Sequence, residues 1–99
     1  MKVELFYFDG CPNWTVADER LAEALVAVGR TDVTVARCRV ETTEEAEAVG
    51  FTGSPTVRFD GRDPFGTGSE QVGLACRVYT TPDGVCGSPT VDQFVEVLS

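Results

Sequence analysis

The chain opens on the apolar run Val3-Glu4-Leu5-Phe6-Tyr7-Phe8, closed by Asp9-Gly10. A short, nearly continuous apolar run bounded by a turn signal is the pattern of a strand buried on both faces. Such a strand has to be central, so the rest of the chain must supply a neighbour on each edge and cover on both sides. Directly after it, Cys11-Pro12 opens a stretch with Trp14, Ala17, Leu21, Leu25 and Val28 at helical spacing, ended by Gly29. Pro12 suits the first helical position, because its missing N–H would be unpaired there anyway.

The remaining segments read in turn. Asp32 to Val40 is rich in valine and threonine and predicts a second strand; Thr42 with Glu45 offers a capping box for a short helix closing at Gly50. Thr56 to Asp60 alternates, with Val57 and Phe59 inward and Arg58 outward, and Asp60-Gly61 ends it. Arg62 to Gly73, with Asp63-Pro64, Gly66 and Gly68-Ser69, predicts the most mobile loop. Cys76 to Thr80 predicts a fourth strand and Pro82-Asp83-Gly84 a turn. Ser88-Pro89 predicts an N-cap and first position for a last helix, with an apolar stripe of Val91, Phe94, Val95 and Leu98. The tetrapeptide Gly-Ser-Pro-Thr occurs at residues 53–56 and 87–90, once opening a strand and once a helix, and is read as coincidence.

Composition removes several classes of function. Ninety-nine residues suffice for one domain, 1–99, with one core. Sixteen acids against eight bases leave a net charge of -8, which repels phosphate backbones and anionic lipid and argues against nucleic-acid and membrane partners. There is no histidine, which excludes Ser-His and Cys-His catalysis and histidine-bearing zinc sites. No leader or membrane span is apparent, so a cytoplasmic location is expected. In that compartment the cysteines at 11, 38, 76 and 86 should be reduced thiols. Their spacing matches neither a disulfide scaffold nor a paired-CxxC zinc site, and no metal or cofactor is expected.

The summed order is β-α-β-α-β-β-α, with a cysteine where the first strand gives way to the first helix. On Phe8-Asp9-Gly10-Cys11-Pro12-Asn13-Trp14 and Gly53-Ser54-Pro55-Thr56-Val57, the chain resembles a minimal thioredoxin-fold protein over essentially its whole length. The first segment stands in place of the redox loop and the second in place of the cis-proline loop. More narrowly, it is similar to a group of small bacterial thioredoxin-like proteins called the DF family, some of which carry selenocysteine at the position of Cys11. The resemblance implies a four-stranded mixed sheet with helices on both faces, a cis Pro55, and a Ser54 backbone facing a bound thiol or peptide.

Cys11 is the expected nucleophile. A sulfur at a helix N-terminus faces unpaired N–H groups and the positive end of the helix dipole, which favours thiolate, while Asp9, Asp18 and Glu19 would oppose it. The alternative is a small buried hydrophobe. Trp14 stands where a dithiol thioredoxin has its second cysteine, so Cys11 has to act as a monothiol or find a resolving thiol elsewhere. In the topology that the resemblance implies, Cys76 begins the fourth strand, about 10 to 15 Å from Cys11. Cys38 is fixed by strand burial, and Cys86 lies in a loop at the active end, so Cys86 is the expected resolving thiol if there is one, the alternative being a plain loop cysteine. Pro12, Trp14, Ser54 and Pro55 are the expected substrate-binding residues, with Trp14 either a lid over the sulfur or the first core anchor of its helix. The acids at 44–47 read as a solvated helix face, Arg37, Arg39 and Arg58 as outward strand positions, and Arg62-Asp63 as a surface pair.

The expected function is thiol redox chemistry on a disulfide, a mixed glutathione disulfide, a protein disulfide or a peroxide. Two alternatives from other classes are soft-metal or organomercurial handling, as in sequences described as alkylmercury-lyase-like, and a non-enzymatic binding module marked by an unreactive Cys11. A thioredoxin-like iron-sulfur protein fits less well, because the cysteines do not cluster.

Overall fold

The computed structural model describes residues 1–66 and 71–99. The elements run β1 (Val3–Tyr7), α1 (Asn13–Ala27), β2 (Val35–Arg39), α2 (Thr43–Val49), β3 (Thr56–Phe59), β4 (Tyr79–Thr81), β5 (Gly84–Cys86) and α3 (Val91–Leu98). β1 is central. It pairs in parallel with β2, Val3 opposite Val35 and Tyr7 opposite Arg39, and antiparallel with β3, Val3 opposite Phe59 and Phe6 opposite Thr56.

Because side chains alternate along a strand, β1 feeds two cores. Val3 and Leu5 join Ala17, Leu21, Ala24 and Leu25 of α1, Val57 and Phe59 of β3, and Phe94 and Leu98 of α3. Phe6, on the opposite side, joins Val40, Ala46 of α2 and Phe51. This is why the opening run is apolar at nearly every position, and it matches the central strand the sequence predicts.

The four-stranded sheet is corrected. Among the described residues there is a three-stranded sheet, β2-β1-β3, and a separate two-stranded sheet, β4-β5. The predicted fourth strand over Cys76–Thr80 is shortened and displaced to Tyr79–Thr81, and Gly84–Cys86 is a strand that the sequence reading left out. Local chemistry accounts for the change. Around Pro82-Asp83, the Thr81 hydroxyl accepts from Asp83 N (3.1 Å) and donates to Gly84 O (2.7 Å), so the segment folds back and pairs Tyr79 with Cys86. The outer side of β3 is partly used by its own turn, where Phe59 N donates to Arg62 O at 2.8 Å. The hairpin reaches the rest of the molecule through side chains: Tyr79 OH donates to Pro55 O, and Gln93 Nε2 of α3 donates to Thr80 O.

Helix ends follow capping chemistry. Thr42 caps α2, accepting from Glu45 N at 3.1 Å, and Gly50 closes it in the left-handed region. α3 begins two residues later than Ser88-Pro89 implies. Thr90 and Gln93 bond reciprocally, Gln93 N donating to Thr90 Oγ1 (3.1 Å) and Thr90 N donating to Gln93 Oε1 (2.9 Å), and this capping box outcompetes a lone serine. Pro12 takes the N-cap rather than the first helical position of α1. The loop predicted over 62–73 falls partly on 67–70, which lie outside the described residues. No helix among the described residues is long and apolar enough to cross a membrane.

Candidate thiol site

The β1–α1 turn is closed by Cys11 N donating to Phe8 O at 3.2 Å, which sets Cys11 one residue ahead of the Pro12 N-cap of α1. Its side chain has no exposed surface. The Cys11 thiol donates to the carbonyl oxygen of Ser54 at 3.6 Å, and Phe8 N donates to Ser54 Oγ at 3.3 Å, so Ser54 clasps the turn from both ends. The Ser54–Pro55 bond is cis. Ser54, Pro55 and Thr56 are buried together, with Thr56 Oγ1 donating to Gly53 O at 2.6 Å.

The Ser54 backbone has a partner within the chain itself. Ser54 N donates to Ala75 O at 2.8 Å and Ser54 O accepts from Arg77 N at 2.9 Å, a parallel bridge that sets Cys76 directly opposite Ser54. The place where a bound thiol or peptide was expected is filled by residues 75–77. Cys76 is therefore not remote at the start of a fourth strand, which corrects the sequence-based distance. It lies across the Ser54 carbonyl from Cys11.

Alternation in this extended stretch leaves Cys76 exposed while Arg77 is buried. The Cys76 thiol is pushed up from the usual cysteine value, first by hydrogen bonding with Cys11, then by partial desolvation, then by the charge of Cys11. The Cys11 thiol bond with defined geometry is the one to Ser54 O. Replacing Cys11 by alanine removes the first and third causes. The pH midpoint for alkylation of Cys76, followed by iodoacetamide labelling and mass spectrometry, is then expected to fall toward that of an ordinary cysteine. An unchanged midpoint would show that the two thiols do not communicate.

The other sequence-singled residues fall around this centre. Cys86 sits in β5 rather than in a loop, with its sulfur 3.6 Å from Thr81 Oγ1, and the cysteine set across Ser54 from Cys11 is Cys76. Cys38 is half-buried, its thiol pushed up by burial and by Glu4, with Lys2 and Arg58 opposing. Pro12 is exposed. Trp14 stacks on Tyr7, with ring centroids 4.1 Å apart, and packs against the larger core, which favours the anchor over the lid.

Two of the three acids expected near Cys11 have partners of their own. Asp9 meets Arg39 at 2.6 Å, and Asp18 holds Arg37 at 2.9 and 3.0 Å. Asp63 does not pair with Arg62 at the surface. It holds Arg77, with Oδ2 at 2.6 Å from Nη1 and Oδ1 at 3.4 Å from Nη2. Cys76, Arg77 and Asp63 are the site residues that sequence reasoning missed. The alternation of Cys76, Val78 and Thr80 with Arg77, Tyr79 and Thr81 was legible, but a single parallel bridge has no periodicity that reveals its partner. Among the described residues, no group of three or more metal-ligating side chains is assembled.

Comparison with family models, with curated proteins and with solved structures finds no match to this chain.

Proposed function

We propose that the protein is a thiol–disulfide redox protein of thioredoxin-like architecture, in which Cys11 and Cys76 cycle between dithiol and disulfide. The observation that carries this reading is the bridge at Ser54: one carbonyl oxygen takes both the Cys11 thiol and the amide of the residue following Cys76. Two cysteines set against one peptide group, Cys11 by its thiol and Cys76 by the backbone that flanks it, support the proximity that disulfide formation first requires. The position of Cys11 before α1 and the Ser54-Pro55 loop beside it support the thioredoxin-like part of the reading. The split sheet and Trp14 in place of a second loop cysteine are departures from that pattern.

Exposure divides the roles. The sulfur a substrate meets first is Cys76, because Cys11 has no exposed surface. Cys76 exchanges with a substrate disulfide, forming one mixed disulfide and releasing one substrate thiol. Cys11 then acts as nucleophile on the Cys76 sulfur, which breaks the mixed bond and releases the second substrate thiol. Two protein thiols lose two electrons and two protons, and one substrate disulfide becomes two thiols. Glutathione disulfide or a protein disulfide satisfies this balance.

The test is disulfide mapping after oxidation by glutathione disulfide. The expected product is an intramolecular Cys11–Cys76 bond, abolished in Cys11→Ser and Cys76→Ser and formed at normal yield in Cys86→Ser. A Cys11 that remains reduced, or that peroxide carries only to sulfinic acid while Cys76 stays unpaired, would overturn the dithiol reading and leave the binding module.

A further inference from the structure

Arg77 follows Cys76 and is anchored more heavily than a strand residue beside a surface thiol needs. Its side chain is 6% exposed, against 20% for Asp63. Beyond the forked contact with Asp63, Arg77 Nη1 lies 3.4 Å from Thr52 Oγ1 and 3.3 Å from Thr56 Oγ1, and the guanidinium sits 4.6 Å from the centre of the Tyr79 ring. Its amide is bound to Ser54 O. The side chain therefore grips residues on both sides of Ser54 in sequence, while the backbone grips Ser54 itself. Asp63 is fixed in turn, since Phe65 N donates to its Oδ1 at 3.1 Å in the turn at Pro64.

We propose that Asp63 and Arg77 are positioning residues for the dithiol: the forked pair holds the 75–77 segment on Ser54, and with it Cys76 against Cys11, so that the internal disulfide is favoured over mixed disulfides. This inference rests on Cys11 and Cys76 being the redox pair. The reaction concerned is two protein thiols plus one glutathione disulfide giving the Cys11–Cys76 bond plus two glutathione thiols. Its equilibrium depends on the effective concentration of one sulfur at the other, which rises when the segment bearing it has a single place to rest. An arginine–carboxylate fork fixes orientation as well as distance. Without the fork, Cys76 spends time away from Cys11 and stops more often at the mixed disulfide with glutathione.

The experiment equilibrates the full chain in a series of glutathione redox buffers, quenches with acid and counts internal and mixed disulfides by mass spectrometry. Asp63→Asn is expected to lower the equilibrium constant for the internal bond about tenfold, equivalent to about 30 mV for a two-electron couple, with a matching rise of glutathione on Cys76. Asp18→Asn, which breaks a surface fork with Arg37 instead, is expected to leave the constant unchanged. Thermal unfolding of the reduced forms runs in parallel, because destabilisation shared by dithiol and disulfide forms leaves this constant where it was. Should Asp63→Asn not fold, Arg77→Lys carries the test, since it keeps the cation and loses the fork. A wild-type constant in the folded variant would overturn the inference. Absence of any Cys11–Cys76 bond in the wild-type chain would instead overturn the redox-pair reading, and the two failures are distinct.

Discussion

Phe94→Ala is expected to lower the stability of the fold by about 3–5 kcal/mol, the range for deleting a buried aromatic ring. Phe94 has no exposed surface. Its ring meets Phe65 edge-on at 5.8 Å and Phe59 at a tilt at 6.5 Å, in a cluster built from β1, α1, β3 and α3. Four elements hold the walls of that cavity, so little collapse is available to offset the loss. At roughly 4–8 °C per kcal/mol for a chain of this size, the melting temperature should fall by about 12 °C or more, read by circular dichroism. A loss under about 1 kcal/mol would show that α3 repacks freely around the missing ring.

Gly53→Ala is expected to strike stability and the thiol pair together. Gly53 has a φ of +119°, which side-chain-bearing residues rarely adopt, and a Cβ there would lie 2.9 Å from Arg77 Cβ and 3.3 Å from Ala75 O. The backbone strain alone costs about 1–3 kcal/mol. The overlap is relieved only if the 75–77 segment moves away from Ser54, which also separates Cys76 from Cys11. Denaturation of the reduced protein should show the loss of stability, and disulfide mapping should show a lower yield of the Cys11–Cys76 bond. A normal yield in the folded variant would mean that pairing on Ser54 does not decide where Cys76 rests.

The two effects fall on different parts of the molecule, and those parts differed in how well the sequence announced them. β1, α1, β2, α2 and β3 were legible because each is specified within itself: an apolar run, a 3.6-residue stripe, a Thr42 cap, an alternation ended by Asp60-Gly61. Residues 75–86 were not. Gly84-Val85-Cys86 is too short and too poor in strand formers to register, and it becomes a strand because the turn at Pro82-Asp83 brings it against Tyr79–Thr81. Cys76 was misplaced for a related reason. The assumption that the fourth strand runs along β3 put it far from Cys11, whereas its actual position is set by two backbone hydrogen bonds to Ser54, 22 residues earlier in the sequence. Long-range bonds between backbone atoms are indifferent to side-chain identity and leave no pattern to read. Asp63 was read with its neighbour Arg62 because adjacency is visible in a sequence, whereas its true side-chain partner is 14 residues away.

The pairing of β1 has a consequence for the order in which the chain is made. β1 is synthesised before β3, yet one of its edges is satisfied only by β3, with Val3 opposite Phe59 and Lys2 N donating to Asp60 Oδ1 at 2.8 Å. Until Thr56–Phe59 has left the ribosome, a nascent chain presents an apolar strand with an open ladder on that side, the kind of edge that recruits other strands. α1 and β2 cover one face and one edge in the meantime. A chain interrupted between β1 and Thr56 keeps the other edge open permanently, so termination in that interval yields a species prone to aggregate.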